Sequence, residues 1–120
     1  SLLATGSSQH SLVLANATGA MGSYSSGSFF QSGLTWSPGE VAVVDVNALQ
    51  ANVAIGKNGG ALTPTGSNTN NAATALGNHA LFGQPFGLVS EVIIFSAALS
   101  SADRLAVDRN AGTYYGVTVA

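Results

Sequence analysis

Only one stretch of this chain carries a helical pattern, and it lies near the far end. "SSADRLAVDRNAG", residues 100–112, puts Ala102, Leu105, Ala106 and Arg109 on one face at helical spacing. Ser100-x-x-Asp103 matches the capping pattern in which a hydroxyl takes up a free amide of the first turn, and Asp103 suits the positive end of the helix dipole. The spacing predicts a helix of roughly two to three turns over 101–110, stopped by "NAG" with Gly112 as a left-handed cap. Arg104 and Asp108 stand four apart and can pair, although exposed pairs contribute little.

Short β-type runs do alternate with turn residues. "HSLVLAN" (10–16) and "GSFFQSGLTW" (27–36) lie between Gly and Ser clusters. "EVAVVDV" (40–46) is rich in Val, and "NALQ" separates it from "ANVAIGK" (51–57), which reads as a hairpin with a four- or five-residue loop. In the second strand Val53 and Ile55 are expected to face the core, with Asn52 and Ala54 facing out. "KNGG" supplies an Asn-Gly turn signal. Residues 58–78 are weakly patterned and read as a long loop, with one short edge strand at "AATAL". "GLVSEVIIF" (87–95) is nearly continuous apolar sequence, as expected of a strand covered on both faces. "YYGVTV" reads as a final strand, with one of Tyr114 and Tyr115 inward and the other outward.

A length of 120 residues fits one domain over 1–120. Charged residues are 7% of the chain, against a usual ~25%. Before the helix the only charges are Glu40, Asp45, Lys57 and Glu91. Solubility then rests on Ser, Thr, Asn and Gln, or else much of the surface is hidden against other subunits, and a homo-oligomer is the expectation. Three basic residues and a net charge of −2 make nucleic acid a poor partner. No apolar run is long enough for a membrane helix, so no membrane partner is expected. The start "SLLATGSSQHS" lacks Met and a basic segment, which points to a cleavage point or the middle of a longer polypeptide. Without Cys there is no disulfide framework and no thiolate chemistry.

The run "EVIIFSAALSSADRLAVDRNAGTYYG" (91–116) resembles the C-terminal signature of concanavalin A-like jelly-roll domains of the laminin G-like type. In that family an E-V-hydrophobic-hydrophobic-aromatic strand leads into "AL-S-x-x-(D/E)-R" and a short helix. Glu91, Val92, Ile93, Ile94, Phe95, Leu99, Ser100, Asp103 and Arg104 fit it residue by residue. "SPGEVAVVDVNALQANVAIGKNGG" resembles the meander of the same family. The resemblance implies an all-β antiparallel sandwich, a jelly roll with one short C-terminal helix. Full domains of the family run longer, which implies that further chain or a partner completes the sandwich. Such domains occur in secreted bacterial proteins and in virion fibres and tails, so an extracellular or virion location is the expectation.

Glycosidases sharing that architecture need two carboxylates facing each other across the sugar, about 5–10 Å apart, and glucanase-type relatives carry them as E-x-D-x-x-E. That motif is absent, and Glu40 and Asp45 are five apart, on opposite faces of a regular strand. Glu91 reads as a structural acid bonded to backbone or to a hydroxyl. There is no G-x-S-x-G elbow and no phosphate loop, so no catalytic residues are expected. The five acids are scattered; no cofactor is expected beyond weak Ca²⁺ binding through Asp45 and Asn side chains. Sugar sites need an aromatic face and amides or hydroxyls, and the candidates are Tyr24, Trp36, Asn58, Asn78 and His79. Each has a plainer account: Trp36 as a buried residue, Tyr24 as an idle exposed ring, His79 as a turn residue. Two functions follow as expectations. One is a non-enzymatic module that binds a glycan or cell-surface polysaccharide, its affinity multiplied by oligomerisation. The other is a structural module that packs against other subunits of a fibre or virion and binds no sugar. A hydrolase reading requires acids from strands outside this sequence.

Overall fold

The structure, a computed structural model, describes residues 3–6, 9–13, 18–25, 28–49, 52–67 and 90–120. The elements are β1 (Leu3–Gly6), β2 (Gln9–Val13), β3 (Ala20–Ser25), β4 (Ser28–Thr35), β5 (Val44–Leu49), β6 (Asn52–Lys57), β7 (Thr63–Ser67) and α1 (Ser101–Tyr115). They form two antiparallel meanders, β1-β2-β3-β4 and β5-β6-β7, each in chain order. The fold is therefore mostly β with one helix, and it is compatible with a β-sandwich.

Alternation along the strands sets what is buried. Met21 from β3 and Val53 and Ile55 from β6 are fully buried and form the core, with Leu34, Trp36, Val44 and Val46 packed around them. Val53 and Ile55 face inward as their spacing predicts, and Ala54 between them is half-buried. Hydroxyls complete this small interior. Ser23 Oγ of β3 lies 2.7 Å from Thr65 Oγ1 of β7, which donates to Val53 O at 3.1 Å. Ser32 Oγ donates to Met21 O at 2.9 Å. Every buried hydroxyl in this group has a partner, as a dry interior requires.

The β5–β6 hairpin is tighter than its sequence implies. Asn47, Ala48 and Leu49 pair with Ala54, Val53 and Asn52, so "NALQ" belongs mostly to β5, and two residues, 50 and 51, connect the strands. Residues 40–43, expected as strand, are irregular. The Asn-Gly turn forms as expected: Asn58 (φ 53°) and Gly59 (φ 78°) are both left-handed, and Gly60 N donates to Lys57 O at 3.0 Å. Three irregular residues, 60–62, separate the turn from β7, so the stretch read as a loop contains a strand at Thr63–Ser67. The short strand expected at 72–76 lies outside the described residues.

Helix α1 starts where the capping pattern puts it. Ser100 is extended (φ −61°, ψ 158°), and its Oγ accepts from Asp103 N at 3.1 Å while donating to Asp103 Oδ2 at 2.7 Å. Ser100→Ala is expected to lower stability by about 1 kcal/mol, measured as a shift in the urea midpoint. The C-terminal boundary departs from expectation. The helix continues through "NAG" to Tyr115 and ends at Gly116 (φ 70°), with Val117 N donating back to Gly112 O at 2.8 Å. Gly112 lies inside the last turn of the helix, kept small by close packing: a Cβ there would lie 2.5 Å from Val119 Cγ2. Residues 117–120 therefore fold back along the helix instead of forming a strand, and Ala120 N donates to Asn58 O at 3.0 Å.

The run 87–95 also departs. Residues 90–95 are irregular, and 87–89 lie outside the described residues. Val92, Ile93, Ile94 and Phe95 are 42, 51, 52 and 46% exposed. Apolar character says that a segment gains from burial, but a strand forms only where a sheet edge completes its ladder.

Candidate functional site

Among the described residues, two of the sequence-expected sugar residues, Trp36 and Tyr24, stand apart. Trp36 follows β4, donates its backbone amide to Gly19 O at 2.8 Å, and packs half-buried against the core. Tyr24 is half-buried in β3, across from Phe29. Ala20 pairs with Thr35 and Tyr24 with Phe29, and Trp36 lies level with Gly19, so Trp36 and Tyr24 sit at opposite ends of this hairpin, about 17 Å apart at 3.3 Å per residue. Asn58 serves the framework: its Oδ1 accepts from Val43 N at 3.0 Å and its own amide donates to Val43 O at 2.8 Å. Asn78 and His79 lie outside the described residues.

Each acid has a structural partner. Glu40 pairs with Lys57, which also donates to Thr35 O at 2.7 Å, while Ser37 N donates to Glu40 Oε2 at 3.0 Å. Lys57, and then the Ser37 amide, hold the Glu40 carboxyl below its ordinary value. Glu91 accepts from the Tyr115 hydroxyl at 3.3 Å, the kind of bond its sequence setting implies. The Asp103 carboxylate accepts from the hydroxyl of the N-cap residue Ser100 at 2.7 Å.

The remaining acids, Asp45 and Asp108, meet on one guanidinium. Arg104 Nη1 lies 2.7 Å from Asp45 Oδ2 and 3.1 Å from Asp108 Oδ2, and its Nη2 donates to Gly60 O at 3.1 Å. Arg104 is therefore the polar tie between α1, β5 and the turn after β6. Gly56 makes room for it, because a Cβ there would come within 2.9 Å of Asp45 Oδ2 and 3.3 Å of Arg104 Nη1. Asp108 is only 1% exposed. Burial pushes its carboxyl up to about 7; a hydrogen bond with Asp45 and the charge of Asp45 add to the rise, and Arg104 opposes it. The packing face of α1 is thus Arg104, Leu105, Asp108 and Gly112, not the Ala102–Arg109 face that simple hydrophobic spacing selects: Ala102, Ala106 and Arg109 are exposed. The i, i+4 spacing of Arg104 and Asp108 was legible, but its burial was not. The one usable signal for Asp45 was an acid inside a Val-rich strand in a chain with few charges.

No known protein family, curated protein or solved structure matches the chain. The Asp45–Asp108 pair encloses a guanidinium. Among the described residues no three His, Cys, Asp or Glu side chains gather as metal ligands, and Asp45 is engaged by Arg104. No helix among them is long and apolar enough to cross a membrane. The most distinctive surface is instead the apolar run 92–95, held at one side by the Glu91–Tyr115 bond and followed by the capped helix.

Proposed function

We propose that this chain is a structural packing module of an extracellular or virion assembly, such as a tail fibre. Its apolar run 92–95 is covered by a second copy of the chain. The observation that carries this reading is the exposure of four consecutive large apolar side chains, Val92 to Phe95, because soluble monomers rarely leave contiguous apolar patches open. The scarcity of charge supports it, since a self-associating surface has few ions to desolvate. The concanavalin A-like jelly roll belongs to the same reading: the segment that resembles the family's C-terminal strand is a run that would gain a ladder in an assembled sandwich. Analytical ultracentrifugation tests it. The chain should sediment as an oligomer, and Ile93→Asp with Ile94→Asp should convert it to a monomer with an unchanged β spectrum. A wild-type monomer at 100 µM and below, taken as a generous working concentration on the order of the weakest useful self-association, would overturn it.

The glycan-binding reading keeps one specific observation. Met21 and Ser23 face the core, so alternation turns Tyr24 to the outer face of the first sheet, where it stands opposite Phe29. Paired rings on an outer face could stack on a sugar. On a glycan array, binding by the wild type that is lost in Tyr24→Ala and retained in the Ile93/Ile94 variant would favour adhesion over packing.

A further inference from the structure

The charge balance around Asp108 points beyond assembly. Asp108 of α1 faces Asp45 of β5 and shares with it one cation, Arg104. From the turn after β6, Gly60 contributes only a carbonyl, which Arg104 occupies. Lys57 of β6 is engaged by Glu40 and Thr35 O. On the helix itself Asp103 is turned to Ser100, and Arg109 Nη2 reaches Ala120 O of the returning tail at 3.4 Å. So two carboxylates and one guanidinium share a site in which Asp108 is cut off from water. A fully ionised cluster would bury an uncompensated negative charge.

We propose that docking of α1 onto β5 and the β6–β7 turn is a proton-operated latch. It is closed when a proton bridges Asp108 and Asp45, and it is weakened when that proton leaves. Protonated Asp108 donates to Asp45 while Asp45 keeps its ion pair with Arg104, so the cluster carries no net charge. Undocked, Asp108 returns to an ordinary carboxyl value near 4. Its docked value is about 7. The docked state therefore binds the extra proton, and the latch is strongest below pH ~4 and weakens as pH rises to ~7, beyond which this contribution is gone. The half-buried Glu40–Lys57 pair has the opposite sign, since Glu40, held low by Lys57, favours the fold at higher pH.

Hydrogen exchange of the whole chain tests the latch, with rates corrected for the intrinsic pH dependence. Protection of the α1 amides should fall between pH 4.5 and 7, approaching tenfold per pH unit at the linkage limit, while protection in β6 falls less. Asp108→Asn supplies an amide that donates to Asp45 and an oxygen that accepts from Arg104, so it should keep the helix docked and flatten the profile. Asp45→Asn leaves Asp108 alone with Arg104 and should flatten or invert it, which gives a second variant if the first folds poorly. A flat wild-type profile, or a slope that survives in both variants, would overturn the proposal.

Discussion

Replacing Arg104 with methionine is expected to destabilise the protein by about 3–5 kcal/mol at neutral pH, the usual result of breaking a buried ion pair from one side. Methionine keeps much of the side-chain volume, so the loss reports charge and hydrogen bonds more than packing. The change removes the partner of Asp45 Oδ2, of Asp108 Oδ2 and of Gly60 O together. The loss should shrink in acid, where protonated Asp108 no longer needs a cation. Urea unfolding of the single variant and of the triple variant Asp45→Asn, Arg104→Met, Asp108→Asn separates the causes. The triple variant should recover most of the stability, because removing all the charges leaves none stranded. A single variant within about 0.5 kcal/mol of wild type, the ordinary range for a surface change, would mean that Arg104 is not the tie between helix and sheet.

The second large effect concerns Gly112. In an ordinary helix interior, Gly→Ala stabilises by about 1 kcal/mol. Here the new methyl would sit 2.5 Å from Val119 Cγ2 and 2.7 Å from Val117 O, and the second of these is backbone that cannot swing aside. Gly112→Ala is expected to destabilise by about 1–3 kcal/mol, the cost of overpacking. Deleting residues 117–120 should reverse the sign, so that within the shortened chain alanine is the more stable residue. Denaturation curves for the four proteins check this, and destabilisation that persists without the tail would place the clash elsewhere.

What could be read from the sequence was the local chemistry. Ser100 and Asp103 form a cap because both groups lie within one turn, and Asn58-Gly59 forms a left-handed turn because those two residues tolerate it best. Val53 and Ile55 face inward because alternation leaves them no other choice once Met21 stands opposite. Failures began where a residue's role depended on distant chain. Gly112 looked like a cap because glycine usually marks an end, and nothing nearby shows that Val119 returns to press on it. Asp108 looked like half of an exposed pair because its second partner, Asp45, lies far away in sequence. The apolar run to Phe95 has the composition of a covered strand, but composition reports an appetite for burial and is silent about the neighbour that satisfies it. The same limit applied to the site: Trp36 and Tyr24 were recognisable as aromatic candidates, but their placement at opposite ends of one hairpin required the register of β3 and β4.

The two meanders have a kinetic consequence. Each is drawn from an unbroken stretch of chain, with strands neighbouring in space in the order of their synthesis. Its hairpins can therefore close over short loops, with little entropy lost before the first contacts form. The slow search is left to the meeting of the two finished ribbons, through Met21 against Ile55 and the Ser23–Thr65 hydroxyl contact. A nascent chain can thus pair the strands of one half before the other exists, while their shared core and the docking of α1 must wait.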